Sequence, residues 1–134
     1  MLFRSRTLVD RGYKLLIETS GAYSVAELPK ETHIVMDIKC PGSKMQHRNY
    51  WQNLEFLKPT DDIKFVIADR YDFDWACDII GDKKLNEVGN VLLSPAWGLC
   101  QPKDLVEWTL TSKIKARINL QQHKFIWGAR ARGV

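Results

Sequence analysis

The 134-residue sequence has no apolar run near the roughly 20 residues that a membrane-spanning helix needs. Its first residues, Met1-Leu2-Phe3-Arg4-Ser5-Arg6, are basic without an apolar stretch behind them, so they do not read as a secretory signal, and a cytoplasmic location is expected. Cysteine is scarce. Cys40, Cys77 and Cys100 are odd in number and far apart, which argues for reduced thiols against a disulfide framework. Iron–sulfur ligands come in tight spacings such as Cys-x-x-Cys, because one short loop must wrap the cluster, and these three have no such spacing. His33, His47 and His123 show neither a zinc-site spacing nor a neighbouring nucleophile. Repeats, low-complexity segments and linkers are also missing, so a single domain over residues 1–134 is expected.

What is present is ordinary for a globular chain, with 45% hydrophobic and 27% charged residues. The formal charge of +4 arises largely near the end, from Lys113, Lys115, Arg117, Lys124, Arg130 and Arg132. Such a tail can touch phosphates, yet no groove-reading motif accompanies it, and neither a nucleic-acid partner nor a membrane is expected.

Short apolar runs alternate with amphipathic ones, the pattern of a parallel α/β fold. A helix tail is expected from about residue 3 to 11, stopped by Gly12. Strands are expected over Tyr13–Thr19, His33–Ile38, Ile63–Ile67 and Asn90–Pro95, on their brevity, β-branched content and Gly or Pro stops. A last strand over Ala116–Leu120 follows, and Gln121–Trp127 reads as a strand-like stretch holding the polar cluster Gln121-Gln122-His123-Lys124. Helices are expected over Arg48–Leu57, where Tyr50, Trp51, Leu54 and Leu57 recur at helical spacing, over Asp72–Ile80, and over Pro102–Leu110. A helix that leads straight into a core strand is an unusual opening for a parallel sheet, which suggests a missing piece.

In parallel α/β folds ligands gather at the carboxyl ends of strands. Three such ends are polar and small: Glu18-Thr19-Ser20-Gly21, Asp37-Ile38-Lys39-Cys40-Pro41-Gly42-Ser43 and Ser94-Pro95-Ala96-Trp97-Gly98. Turns use the same residues for conformational reasons, so each segment is a turn or a site. Asp37 and Lys39 share the strand face opposite Ile38, and either a structural pair or a ligand-orienting one fits. Glu18 ends an apolar strand and needs a donor or a cation. No complete catalytic set emerges from these residues.

Taken in order, these blocks resemble a known family. Ile17-Glu18-Thr19-Ser20-Gly21, Asp37 to Ser43, Asp62 to Ile67, Leu93 to Gly98, Gln122 to Trp127 and the ending Arg132-Gly133-Val134 resemble successive blocks of the 7-carboxy-7-deazaguanine synthases, and they cover nearly the whole chain. That family is a radical-SAM group of the queuosine pathway on a shortened parallel α/β barrel, usually homodimeric. It uses a [4Fe–4S] cluster, S-adenosylmethionine and Mg²⁺ to convert 6-carboxy-5,6,7,8-tetrahydropterin into 7-carboxy-7-deazaguanine. The resemblance implies an α/β fold that is an incomplete parallel partial barrel of about four to five strands. It implies that Thr19 hydrogen-bonds a pterin-type substrate and that Gly21 lets backbone approach S-adenosylmethionine. Lys39, Cys40 and Pro41, with Ser94, Pro95 and Ala96, would line the same cofactor, and the terminal carboxylate of Val134 would pair with the pterin's N–H groups.

One departure is large. The family's Cys-x-x-x-Cys-x-x-Cys loop, its Gly-Gly-Glu-Pro segment and its Mg²⁺ ligand have no counterpart in these residues. The expectation is therefore a carboxyl-terminal part of a synthase, inactive alone, completed as a homodimer or by an amino-terminal partner chain. The alternatives are a pterin- or nucleoside-binding module without redox activity and a basic nucleic-acid-binding domain. A Trp-rich dimer surface around Trp97, Trp108 and Trp127 is weighed against the same aromatics lying in the core.

Overall fold

Each short apolar run pairs with the next one along the chain. The computed structural model describes residues 2–132. The helix α1 (Leu2–Asp10) leads into β1 (Leu16–Thr19), β2 (His33–Ile38) and β3 (Asp62–Ile67). Two helices follow, α2 (Arg70–Asp82) and α3 (Leu85–Val88), then β4 (Asn90–Pro95), α4 (Pro102–Ser112), β5 (Arg117–Ile118) and α5 (Gln122–Trp127). The strands form one five-stranded sheet in the order β1-β2-β3-β4-β5, every pair parallel. The mixed α/β class with parallel strands is as expected. No helix among the described residues is long and apolar enough to cross a membrane.

Parallel register puts paired residues on one face. Ile34, Met36 and Ile38 line up with Ile63, Phe65 and Ile67 and with Val91 and Leu93, and all are buried. Phe73, Ala76 and Ile80 of α2, Leu85 of α3 and Leu105 of α4 pack into this same cluster. Seven of these positions, Met36, Ile63, Phe65, Ile67, Leu85, Leu93 and Leu105, have no exposure at all, so truncating any one to Ala removes about 2–5 kcal/mol. The opposite face has a different chemistry. Glu18, Val35 and Asp62 form one row, Asp37, Lys64, Leu92 and Arg117 the next, and Val66 and Ser94 the row nearest the carboxyl ends.

Several expected boundaries move. The strand expected over Tyr13–Thr19 begins only at Leu16, after Gly12 takes a left-handed φ of +82°. The strand expected over Ala116–Leu120 pairs at two residues only, and Gln122–Trp127 forms a helix where a strand-like stretch is expected. The helix expected over Arg48–Leu57 is replaced by 3₁₀ turns at Gln46–Arg48 and Trp51–Phe56. Two asparagines explain it. Asn49 Oδ1 accepts from Lys39 N (2.9 Å) while its Nδ2 donates to Lys39 O (3.0 Å). Asn53, fully buried, accepts from Val25 N (3.0 Å) and donates to Tyr23 O (2.9 Å). Those side-chain bonds to distant backbone outweigh helical continuity.

At the amino end of the sheet, the fully buried Asp61 closes the β2–β3 connection. Its Oδ1 accepts from Ile34 N (3.0 Å), and its Oδ2 accepts from Lys58 N (2.8 Å) and Lys58 Nζ (3.0 Å). Beside it His33 pairs with Asp62 at 2.9 Å, the ordinary structural use expected of a histidine that opens a strand. Removing the Asp61 carboxylate strands an ammonium and two amides. Asp61→Ala is expected to lower the free energy of urea unfolding by about 3 kcal/mol. Glu31→Ala, which breaks an exposed pair with Arg6 at 4.0 Å, should change it by less than about 1 kcal/mol.

Candidate functional site

The loops that leave the carboxyl ends of β1, β2 and β4 bring the polar segments together on one rim, as expected for a parallel sheet. Gly21 has φ +70°, and a Cβ there would lie 3.1 Å from Asp37 O, so the β1 loop presses directly on β2. Tyr50 N donates to Gly21 O at 3.0 Å and fixes that loop from the far side. Thr19 Oγ1 accepts from Gly21 N at 3.2 Å, and Thr19 stands in the row of Met36, one residue away from the polar row of Glu18.

After β2, Cys40 precedes a 3₁₀ turn over Pro41–Ser43. The buried Asp72 in the first turn of α2 holds this turn: its Oδ1 accepts from Gly42 N (2.7 Å) and its Oδ2 from Ala68 N (3.1 Å). A Cβ on Gly42 would sit 2.6 Å from Asp72 Oδ2, so only glycine fits. The helix itself is capped by Asp69, whose Oδ1 accepts from Asp72 N at 2.9 Å. Asp37, Lys39, Cys40, Gly42, Val66 and Ala96 are among the residues around a cavity of about 230 Å³ at this rim. After β4, Pro95 pairs with Ile67, Ala96 N donates to Ile67 O at 2.8 Å, and Trp97 meets Phe125 of α5 edge to face at 4.8 Å between centroids.

On the polar face, Lys39 Nζ donates to Asp37 Oδ2 at 2.6 Å. Asp37 Oδ1 and Ser94 Oγ are buried without a hydrogen-bond partner among the described residues. Native interiors leave few such atoms, and two on one face mark it as a surface awaiting a partner. Thr32 Oγ1, also without one, lies apart, just ahead of β2. Glu18 finds the cation it needs in Lys64, with Oε2 and Nζ 3.8 Å apart. Both face a second cavity of about 570 Å³ shared with Asn119, Gln121, Gln122 and His123, so the terminal polar cluster is part of the site's wall.

Of the residues singled out from the sequence, Gly21, Lys39, Cys40, Pro41, Ser94, Pro95 and Ala96 share the rim, with Thr19 at its base. Val134 lies outside the described residues. Trp97 and Trp127 are exposed, whereas Trp108 packs against the core beside Phe73 at 5.7 Å. Asp72, Asn49 and Asn53 were not singled out. Only Asp72 carried a signal, as an acidic residue in a helix's first turn.

No family model matches the chain. Curated proteins do. The 7-carboxy-7-deazaguanine synthase of Koribacter versatilis is 39% identical over 140 aligned positions, 95% of this chain and 62% of that protein. The synthase of Leptospira interrogans is 42% identical over 84% of this chain and 48% of its own length, and that of Chlorobaculum tepidum 33% identical over 95% and 59%. This chain is a relative of the 7-carboxy-7-deazaguanine synthases. It spans about half to three fifths of the length of these synthases, consistent with a carboxyl-terminal part of one.

The three thiols are free, and no group of three His, Cys, Asp or Glu among the described residues is arranged to hold a metal. Burial, reinforced by the carboxylates of Asp72 and Asp37, pushes the Cys40 thiol far above its ordinary value of 9.0. The native fold thus holds this proton more tightly than the unfolded chain does. Its contribution to stability is complete below the ordinary value and is lost as pH rises from there toward the folded-state value. In the native chain at pH 8, Cys40 should resist iodoacetamide while the half-buried Cys77 is modified first, read by peptide mass mapping, and urea should equalise the two.

Proposed function

We propose that this chain is the carboxyl-terminal part of a 7-carboxy-7-deazaguanine synthase, forming the rim and inner wall of an incomplete radical-SAM partial barrel within a single domain. The observation that carries the reading is the 39% identity across 95% of the chain, to a protein that extends well beyond the matched stretch. The polar second face supports it. A parallel sheet normally covers both faces with helices, and a face lined by Glu18, Asp37, Lys64 and Ser94 suits the inside of a barrel.

The residues present fit S-adenosylmethionine: Gly21 and Gly42 let backbone come close, and Ser94 Oγ offers an unused donor and acceptor. Gly21, Lys39, Cys40 and Pro41, with Ser94, Pro95 and Ala96, would hold it. When bound, it supplies a radical that abstracts hydrogen from a substrate carbon. Thr19 keeps a hydroxyl proton to donate, because its oxygen accepts from Gly21 N, and would orient the pterin-type substrate. The carboxylate of Val134 would accept from the substrate's N–H groups. The residues present do not fit a [4Fe–4S] cluster or Mg²⁺, since Cys40 and Cys100 are buried and Cys77 stands apart on α2. The assembly would then be completed by an amino-terminal partner chain, within a homodimer, and the chain alone would be inert.

The test is anaerobic reconstitution, with iron content and conversion of 6-carboxy-5,6,7,8-tetrahydropterin measured for the chain alone and with a supplied segment bearing Cys-x-x-x-Cys-x-x-Cys. The expected result is no iron in the chain alone and turnover on mixing. Stoichiometric cluster in the chain alone would overturn the reading of its cysteines. Iron bound by neither sample would leave a binding module as the function.

A further inference from the structure

We propose that Glu18 and Lys64 together read the amino-carbonyl edge of a guanine-type ring; this rests on the synthase reading and adds the residues that select the ring. Lys64 lies in the middle of β3 on the polar face, with its side chain 15% exposed. A mostly buried ammonium requires hydrogen-bond acceptors as well as a counter-charge. Among the described residues it has the second without the first. Its carboxylate partner, Glu18 Oε2, is 3.8 Å away, beyond hydrogen-bond reach. Asp37, the residue paired with Lys64 in register, is engaged by Lys39 at 2.6 Å.

The pair opens into the cavity of about 570 Å³, within the range of small-molecule sites, whose remaining wall is made of amides and an imidazole. A carboxylate and an ammonium standing side by side present an acceptor next to a donor. The edge of a guanine-type ring is the complement: ring and amino N–H donors next to a carbonyl acceptor. Glu18 accepts from the ring N–H and one amino hydrogen, and Lys64 donates to the carbonyl. The second amino hydrogen remains for a further acceptor. An adenine-type edge reverses the order and would leave both charges unpaired, which is how a polar pocket discriminates most strongly. The name of the related enzymes, 7-carboxy-7-deazaguanine synthases, carries the same edge.

The experiment is calorimetric titration of the 134-residue chain with 7-deazaguanine, with 7-deazahypoxanthine, which lacks the amino group, and with 7-deazaadenine, which reverses the edge. The wild-type chain should prefer 7-deazaguanine by about tenfold or more over each. Glu18→Gln should erase the preference over 7-deazahypoxanthine. Lys64→Met should weaken both oxo rings by about tenfold and leave 7-deazaadenine unchanged, with circular dichroism confirming the fold. Should Lys64→Met not fold, Lys64→Arg keeps the cation with altered geometry and should lower the preference part-way. Equal binding of the three rings, or a preference that survives both substitutions, overturns the pair as reader while leaving the synthase reading intact. A chain that binds none of the rings also overturns it, and turnover on mixing with the cluster-bearing segment then decides the synthase reading separately.

Discussion

Parallel pairing at a strict two-residue period is the constraint on which this structure depends. It sends Met36, Ile63, Phe65 and Leu93 to one face and Glu18, Asp37, Lys64 and Ser94 to the other, with no residue able to serve both. The apolar face supplies the driving force, because α2, α3 and α4 have nothing else to bury against. The polar face follows from the same alternation. Its charges neutralise one another only in part, and that residual demand for partners is what makes it a site.

Around this sheet the loops are fixed by buried polar side chains more than by apolar contact. Asp61 closes the amino end, Asp72 grips the turn after β2, and Asn49 and Asn53 tie the 3₁₀ segment to Lys39 and to the β1 loop. Each lies close to a backbone whose amides would otherwise be buried unpaired. Such bonds are worth more for geometry than for net stability, since the groups they satisfy were hydrated before folding. The rim is therefore held rigidly where a ligand would need it to be.

The sequence was most readable where one force dominated. His33–Ile38 and Asn90–Pro95 form strands at their expected limits, because unbroken apolar runs end at Lys39 and Pro95. The three polar strand ends converge, as the parallel class requires. Legibility failed where side chains bond backbone far away in sequence. Tyr50, Trp51, Leu54 and Leu57 keep helical spacing, yet Asn49 and Asn53 reach Lys39 and Tyr23 and pull the segment into 3₁₀ turns. Gln122–Trp127 escaped for another reason. Six residues are too few for periodicity to separate helix from strand, and the packing of Phe125 on Trp97 is tertiary. Lys64 was visible only as part of a resembling block, since its distance from Glu18 depends on the register across three strands.

The close approach of Gly42 to Asp72 also bears on how such a chain can change over generations. The space a methyl group would need at position 42 is filled by the very carboxylate that caps the turn. A larger residue at 42 therefore requires a smaller or shorter one at 72, which would forfeit the grip on Gly42 N and Ala68 N. Neither first step is neutral, so the two positions are locked as a pair: divergence can proceed freely around them, but drift at one is blocked until the other has already moved.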